Sequence, residues 1–365
     1  MQIQNKEKIL SIDMLRFLAA FGVMLYHYVF MFTQRGYTTY DYGKLLTLTQ
    51  YGYLGVDLFF IISGFVIAMS AENRSLFEFV KSRILRLYPL LWICVSLTSI
   101  VILFFGENIS TGINIGNYLA NLTMVPFQFG GYPIDGSYWS LTVELKFYII
   151  IGLILSFGFY KKLENLSYVI SLILAIGSAT NLISFNWVGY FIAGIIFFNI
   201  HKYKLTLIRF LSVVSTLIPT LIYAISRTPD LSAGYHKIFE SNYIVLHIII
   251  FYLIFFFIST HKLDNFINKL KFTRLKKLIL ILGSLTYPIY LLHQVIGHIA
   301  ILQLEEYNIN VYVALFLTVL LIILTSYILV KYVEIYIKSF LHKLFNIFEI
   351  KFSKYKILNF AFRKD

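Results

Sequence analysis

Charge is scarce in this chain. Only 13% of its 365 residues are Asp, Glu, Lys or Arg, about half the share usual in soluble domains. With 59% hydrophobic residues and a mean hydropathy of +0.76, that shortage excludes a soluble globular domain and implies a polytopic membrane protein. Cysteine is nearly absent. A single Cys94, set in an apolar run, excludes an intrachain disulfide and a thiolate metal site and reads as filler. No glycine-rich phosphate loop, metal-ligand spacing or G-x-S-x-G elbow occurs, so no metal site is expected and P-loop or serine-hydrolase chemistry has no sequence support. The first apolar segment has no small-residue cleavage site and is long enough to span, which makes it a retained helix rather than a removed signal. Neither a repeat of fixed period nor a low-complexity linker breaks the chain.

What is present is a series of apolar runs of about 20 residues, the length that crosses a bilayer as a helix. Ten spans are expected, at 10–32, 52–70, 89–106, 138–160, 164–183, 185–200, 205–226, 242–259, 278–302 and 311–332. The fold class is therefore an all-α transmembrane bundle. Asn181 and Asn186 interrupt the fifth and sixth runs. The 35 Phe and 28 Tyr suit helix interfaces and headgroup level. The net charge of +13 is not spread over one face, as a nucleic-acid surface would require, but sorted by loop. Lys6 and Lys8 precede the first span, and Arg74, Lys81, Arg83 and Arg86 follow the second. Lys161 and Lys162 follow the fourth, Lys202 and Lys204 the sixth, and Lys262, Lys269, Lys271, Arg274, Lys276 and Lys277 the eighth. The alternate loops are poor in basic residues, which puts both termini in the cytoplasm. Residues 73–88 read as a basic amphipathic surface helix turning at Tyr88-Pro89 into the third span. Residues 1–335 then form one membrane unit. Residues 336–365, which alternate Lys with Phe, Ile and Leu, form a basic tail lying on anionic lipid.

The chain is organised around Ser11 to Tyr28, SIDMLRFLAAFGVMLYHY, an apolar helix carrying Asp13, Arg16 and His27. Arg16 and His27 are eleven positions apart, three turns plus about 20°, so they share a face about 16 Å apart along the axis. Ionisable groups in a membrane helix are costly and are functional candidates. The plainer alternative is an Asp13–Arg16 pair at the headgroups and a hydrogen-bonded packing histidine.

Orientation converts sequence into depth. His27, Asp57 in GVDLFF, Glu144 in YWSLTVELKFY and His293 in LTYPIYLLHQ all fall in the outer half of their spans. A histidine beside a carboxylate is a general base with an orienting partner. His27 is the expected base, oriented by Glu144 or Asp57. Trp139, Ser140, Tyr290 and His293 are the expected substrate-binding residues around it. His247 reads as a satisfied packing residue, and the remaining histidines are assigned to loops or to the tail. Arg83 and Arg86 lie one turn apart on one side of a helix. They suit either lipid phosphates or a phosphorylated cofactor held by paired guanidinium contacts, with Arg16 adding to the same anion site.

With these residues in hand the chain resembles acyltransferase family 3, the bacterial integral-membrane O-acyltransferases. The matching pieces are IDMLRFLAAFGVMLYH, GVDLFFIISGFVI, SRILRLYPLLW, YWSLTVELKFY and LGSLTYPIYLLHQ, in the family's order. Arg16 and His27 stand as its R-x10-H and Arg83 and Arg86 as its R-x-x-R. The resemblance implies ten core helices in the bacterial cytoplasmic membrane. It implies acyl-CoA, taken as acetyl-CoA, as a donor substrate arriving from the cytoplasm with no tightly bound cofactor. It also implies transfer to a hydroxyl of a cell-envelope glycan or glycolipid at the external side. The arginines would then bind the CoA phosphates. Some members carry a fused extracytoplasmic hydrolase-like domain; none is expected here, so any such step would fall to a separate envelope-biosynthesis protein. The family's Glu near a Pro after the last span is matched only by Glu334, without the proline. Two rival readings stand beside it: a proton-coupled transporter using the same intramembrane His and acids as a proton relay, which calls for inverted repeats the sequence lacks, and a non-catalytic scaffold, which does not call for the Arg16–His27 stripe.

Overall fold

A computed structural model describes residues 9–106, 113–180, 186–269 and 273–352. Of the residues named above, Lys6, Lys8, Asn181 and Lys271 lie outside them, as does the part of the tail from residue 353 on. The described residues are helical, with no strand among them. A helix stands over each expected span: α1 Leu10–Gln34, α2 Gly55–Ala71, α3 Leu76–Phe105, α4 Trp139–Ser156 and α5 Leu163–Ala179. The series continues with α6 Val188–Tyr203, α7 Leu207–Ser226, α8 Ser241–Ser259, α9 Thr273–Glu306 and α10 Val311–Ile328. Among the described residues eight helical stretches are long and apolar enough to cross a membrane; α5 and α6 are not among them. The exception has a physical reason in α6. Its 16 residues reach only about 24 Å at 1.5 Å per residue, but every residue from Gly189 to Ile200 is buried, so its neighbours rather than lipid set its surroundings.

Lipid tails are as apolar as leucine, so helices in a membrane associate through close packing at small residues. The tightest pair here is α2 with α6. A Cβ on Gly64 would sit 2.2 Å from the Phe191 carbonyl oxygen, and one on Gly194 would sit 2.2 Å from that of Ile61. Helix α6 also packs on α5, α7 and α8, while α9 packs on α1, α3 and α10. Helix α1 lies between α2 and α9 and joins these two groups. Its start is tied down by Asp264, which accepts from both the backbone N–H (3.1 Å) and the hydroxyl (2.8 Å) of Ser11.

Two expected boundaries are replaced by continuous helix. The chain does not turn at Tyr88-Pro89: α3 runs 30 residues with Pro89 inside it. A capping box of Ser75 and Glu78 starts it. Past the last span, α10 continues through a π-helical turn, Leu329–Val333, into α11, Glu334–Phe352. The expected division at 335/336 falls inside this helix. Helix α11 packs back on the first turns of α3, where Lys81 reaches Glu349 at 3.1 Å and Phe77 stacks on Phe348. The basic segment and the tail therefore support each other.

Candidate active site

Two features converge on α1. Its regular winding gives way to a π-helical turn at Tyr26–Met31, a device that recurs at functional sites because it re-aims one side chain. His27 lies in that turn, and its Nδ1 meets Nε2 of His293, from α9, at 2.9 Å. Nδ1 of His293 in turn lies 2.8 Å from the Tyr290 carbonyl oxygen. A carbonyl can only accept, so His293 carries its proton on Nδ1 and presents a lone pair at Nε2. His27 must then donate from Nδ1, which leaves its own Nε2 with a lone pair. The pair is thus set as a base. Tyr28 donates to the His293 carbonyl oxygen at 2.7 Å, and Gly297 leaves room for that phenol: a Cβ there would meet the Tyr28 oxygen at 2.2 Å.

Behind His293 stands Asp135, wholly buried in the loop before α4. It accepts from the Val295 backbone N–H at 2.9 Å and from the Ser137 N–H and hydroxyl at 2.9 and 2.6 Å. Burial raises its carboxyl above the usual range, against the opposing pull of His293 and these hydrogen bonds. Asp135 was not among the expected site residues. His298 was also missed: it lies in α9, not in a loop or the tail, stacks on Phe32 at 4.1 Å and meets the His27 carbonyl oxygen at 3.3 Å. His247 bonds the Tyr243 carbonyl at 2.6 Å and stacks on Tyr51.

Below the histidine pair a narrow cavity of about 70 Å³ runs between α1, α2, α3, α4 and α9. Arg16, Arg83 and Arg86 line one part of it, Glu144 and Tyr148 another, and Ser140 and Tyr290 a third. Ser140 and Tyr290 join hydroxyl to hydroxyl at 2.7 Å, and Tyr290 is the residue whose carbonyl holds His293. Among the described residues no carboxylate lies within ion-pair distance of Arg16, Arg83 or Arg86. The Arg83 guanidinium lies over the Phe79 and Tyr148 rings instead. Three guanidinium groups facing one carboxylate, Glu144, leave an excess of positive charge in low dielectric that suits an anionic guest.

The structure brings some expected residues together and parts others. Glu144 faces the arginine cavity, where it accepts from Ser63 at 2.8 Å and Tyr148 at 2.7 Å. Asp57, fully buried, is ion-paired with Arg227 at the end of α7. Neither carboxylate is hydrogen-bonded to His27 among the described residues; the imidazole's partner is His293. Trp139 lies outside the cavity lining, tilted against Trp187 and edge-on to Phe60.

The acyltransferase-domain family model matches residues 9–330. The chain belongs to acyltransferase family 3. It is a multi-pass membrane protein of that family. Similar proteins include nodulation protein 10 of Rhizobium leguminosarum bv. viciae, 28% identical over 144 residues, which are 34% of this chain and 38% of that protein. The putative peptidoglycan O-acetyltransferase YrhL of Bacillus subtilis is 28% identical over 190 residues, 47% of this chain and 27% of its own. O-acetyltransferase OatA of Staphylococcus aureus is 28% identical over 169 residues, 41% and 25% respectively. The matches thus span between 25% and 38% of these relatives' length. No solved structure matches the chain.

Proposed function

We propose that the protein transfers an acetyl group from cytoplasmic acetyl-CoA to a hydroxyl of an envelope glycan or glycolipid at the external side of the bacterial cytoplasmic membrane. The observation that carries this reading is the cavity, which joins three arginines without carboxylate partners to Tyr290, the residue that holds the His293–His27 pair. In this reading Arg16, Arg83 and Arg86 hold the CoA phosphates and the pantetheine arm follows the cavity toward Tyr290. The acceptor oxygen attacks the thioester carbonyl while its proton passes to His27 Nε2. The C–S bond then breaks, and the leaving thiolate takes that proton. One ester and one free thiol result, with His27 restored. His293 keeps the required tautomer, and Asp135 is the carboxylate whose charge acts on His293 as the pair becomes cationic. Glu144, between Ser63 and Tyr148, balances the arginines rather than the base.

The test is acyl transfer from labelled acetyl-CoA to a glycan panel, with thermal stability measured on the same purified variants. His27→Ala should lower the rate by about 10²–10⁴-fold, the size of a lost general base, with donor binding kept. His27→Gln retains hydrogen bonding but takes no proton at neutral pH, so it should fail equally. Full activity in His27→Gln would remove this residue from the chemistry.

A further inference from the structure

A second cavity, of about 270 Å³, opens at the end of the bundle formed by the α2–α3 turn, the α4–α5 turn and the last residues of α6. It shares no lining residue with the arginine cavity. Five charged side chains line it: Glu72, Arg74, Lys161, Glu164 and Lys202. Both acids are already paired, Glu72 with Lys202 and Glu164 with Arg209 at 2.6 Å. Arg74 and Lys161 have no ion-pair partner among the described residues. The wall between the charges holds Asn199, only 5% exposed, whose Nδ2 has no hydrogen-bond acceptor among the described residues. A buried amide donor left unmet costs free energy that an acceptor atom would recover.

We propose that this cavity is a second anion site taking a phosphate ester. The phosphate sits between Arg74 and Lys161, and one of its oxygens accepts from the Asn199 amide. Arginine and an amide N–H are the donors phosphate recognition uses, and a site of this size admits a headgroup or the phosphate end of a nucleotide. Two sources supply that chemistry: a soluble phosphate ester, or the headgroup of an anionic lipid in the adjoining leaflet. The proposal does not depend on acyl transfer, and its test reads binding alone.

The purified full-length protein is titrated with glycerol 3-phosphate in detergent, and its melting temperature is compared in phosphatidylglycerol and phosphatidylcholine nanodiscs. Saturable binding of the soluble probe assigns a free ester; a rise confined to phosphatidylglycerol assigns a lipid. In either case Arg74→Ala and Lys161→Ala should each weaken the effect about tenfold, as loss of a charge-assisted bond does. Asn199→Asp, nearly isosteric but repelling an anion, should abolish it, while Arg83→Ala in the other cavity should leave it intact. Ligand-free melting of each variant identifies misfolding, and Asn199→Ser then replaces Asn199→Asp. No response to either probe, or a response equal in wild type and all cavity variants, overturns the proposal.

Discussion

His293 shows how one residue carries two constraints. Its Nδ1 is committed to the Tyr290 carbonyl and its Nε2 to His27, so the ring fixes which nitrogen of His27 is free. His293→Phe keeps the aromatic volume and removes both contacts. It should lower kcat for acyl transfer by about 10²-fold or more while leaving the KM for acetyl-CoA near wild type, because the arginines are untouched. An unchanged kcat would make His293 a packing residue. The sequence had marked His27 and His293 at similar depth, but it offered no lateral coordinate. Glu144 and Asp57 therefore looked equally able to reach His27, whereas one faces arginines and the other is paired with Arg227. Asp135 escaped notice because it sits in a loop. The available signal was that a segment free of basic residues from Gly106 to Ser137 carries only two acids, Glu107 and Asp135.

Helices were legible wherever periodicity and length alone decide them, and misread where tertiary packing overrides a local stop signal. Pro89 looked like a turn, yet α3 is one 30-residue helix with Pro89 inside it, packed on α9 and, over its first turns, on α11. The π-helical turn under His27 left no mark in YHYVFM, since it inserts a residue into the winding without changing composition. The close approach of α2 and α6 makes a prediction at this scale. Gly64→Ala forces a Cβ against the Phe191 carbonyl, and overpacking of this kind costs about 1–3 kcal/mol. Melting in detergent should therefore occur at a clearly lower temperature. Gly22→Ala is the matched control: it lies in α1, but its Cβ would meet nothing within 4 Å. Equal melting temperatures for the two variants would mean that the α2–α6 contact is looser than its geometry.

For the molecule as a whole, the order of the helices was readable from hydropathy, and among the described residues eight of the ten expected spans are long and apolar enough to cross a membrane. The loop charges predict orientation, on which the assignment of a cytoplasmic donor and an external acceptor rests. Cys94 is fully buried, so single cysteines placed on a Cys94→Ser background report without interference. Lys237 and Tyr307 are exposed in the connections before α8 and after α9, while Lys162 is exposed in the turn before α5 and Asn265 in the short helix Lys262–Lys269 before α9. An impermeant maleimide added to intact cells should label Lys237→Cys and Tyr307→Cys and spare Lys162→Cys and Asn265→Cys until the membrane is opened. The expectation follows from the positive-inside rule, which acts through short loops such as these. The reverse pattern would turn the bundle over. Arg16, Arg83 and Arg86 would then open toward the outside, where acyl-CoA is not supplied, and the donor would have to be another anionic acyl carrier. A mixed pattern would break the even number of crossings and with it the pairing of α5 and α6 as two spans.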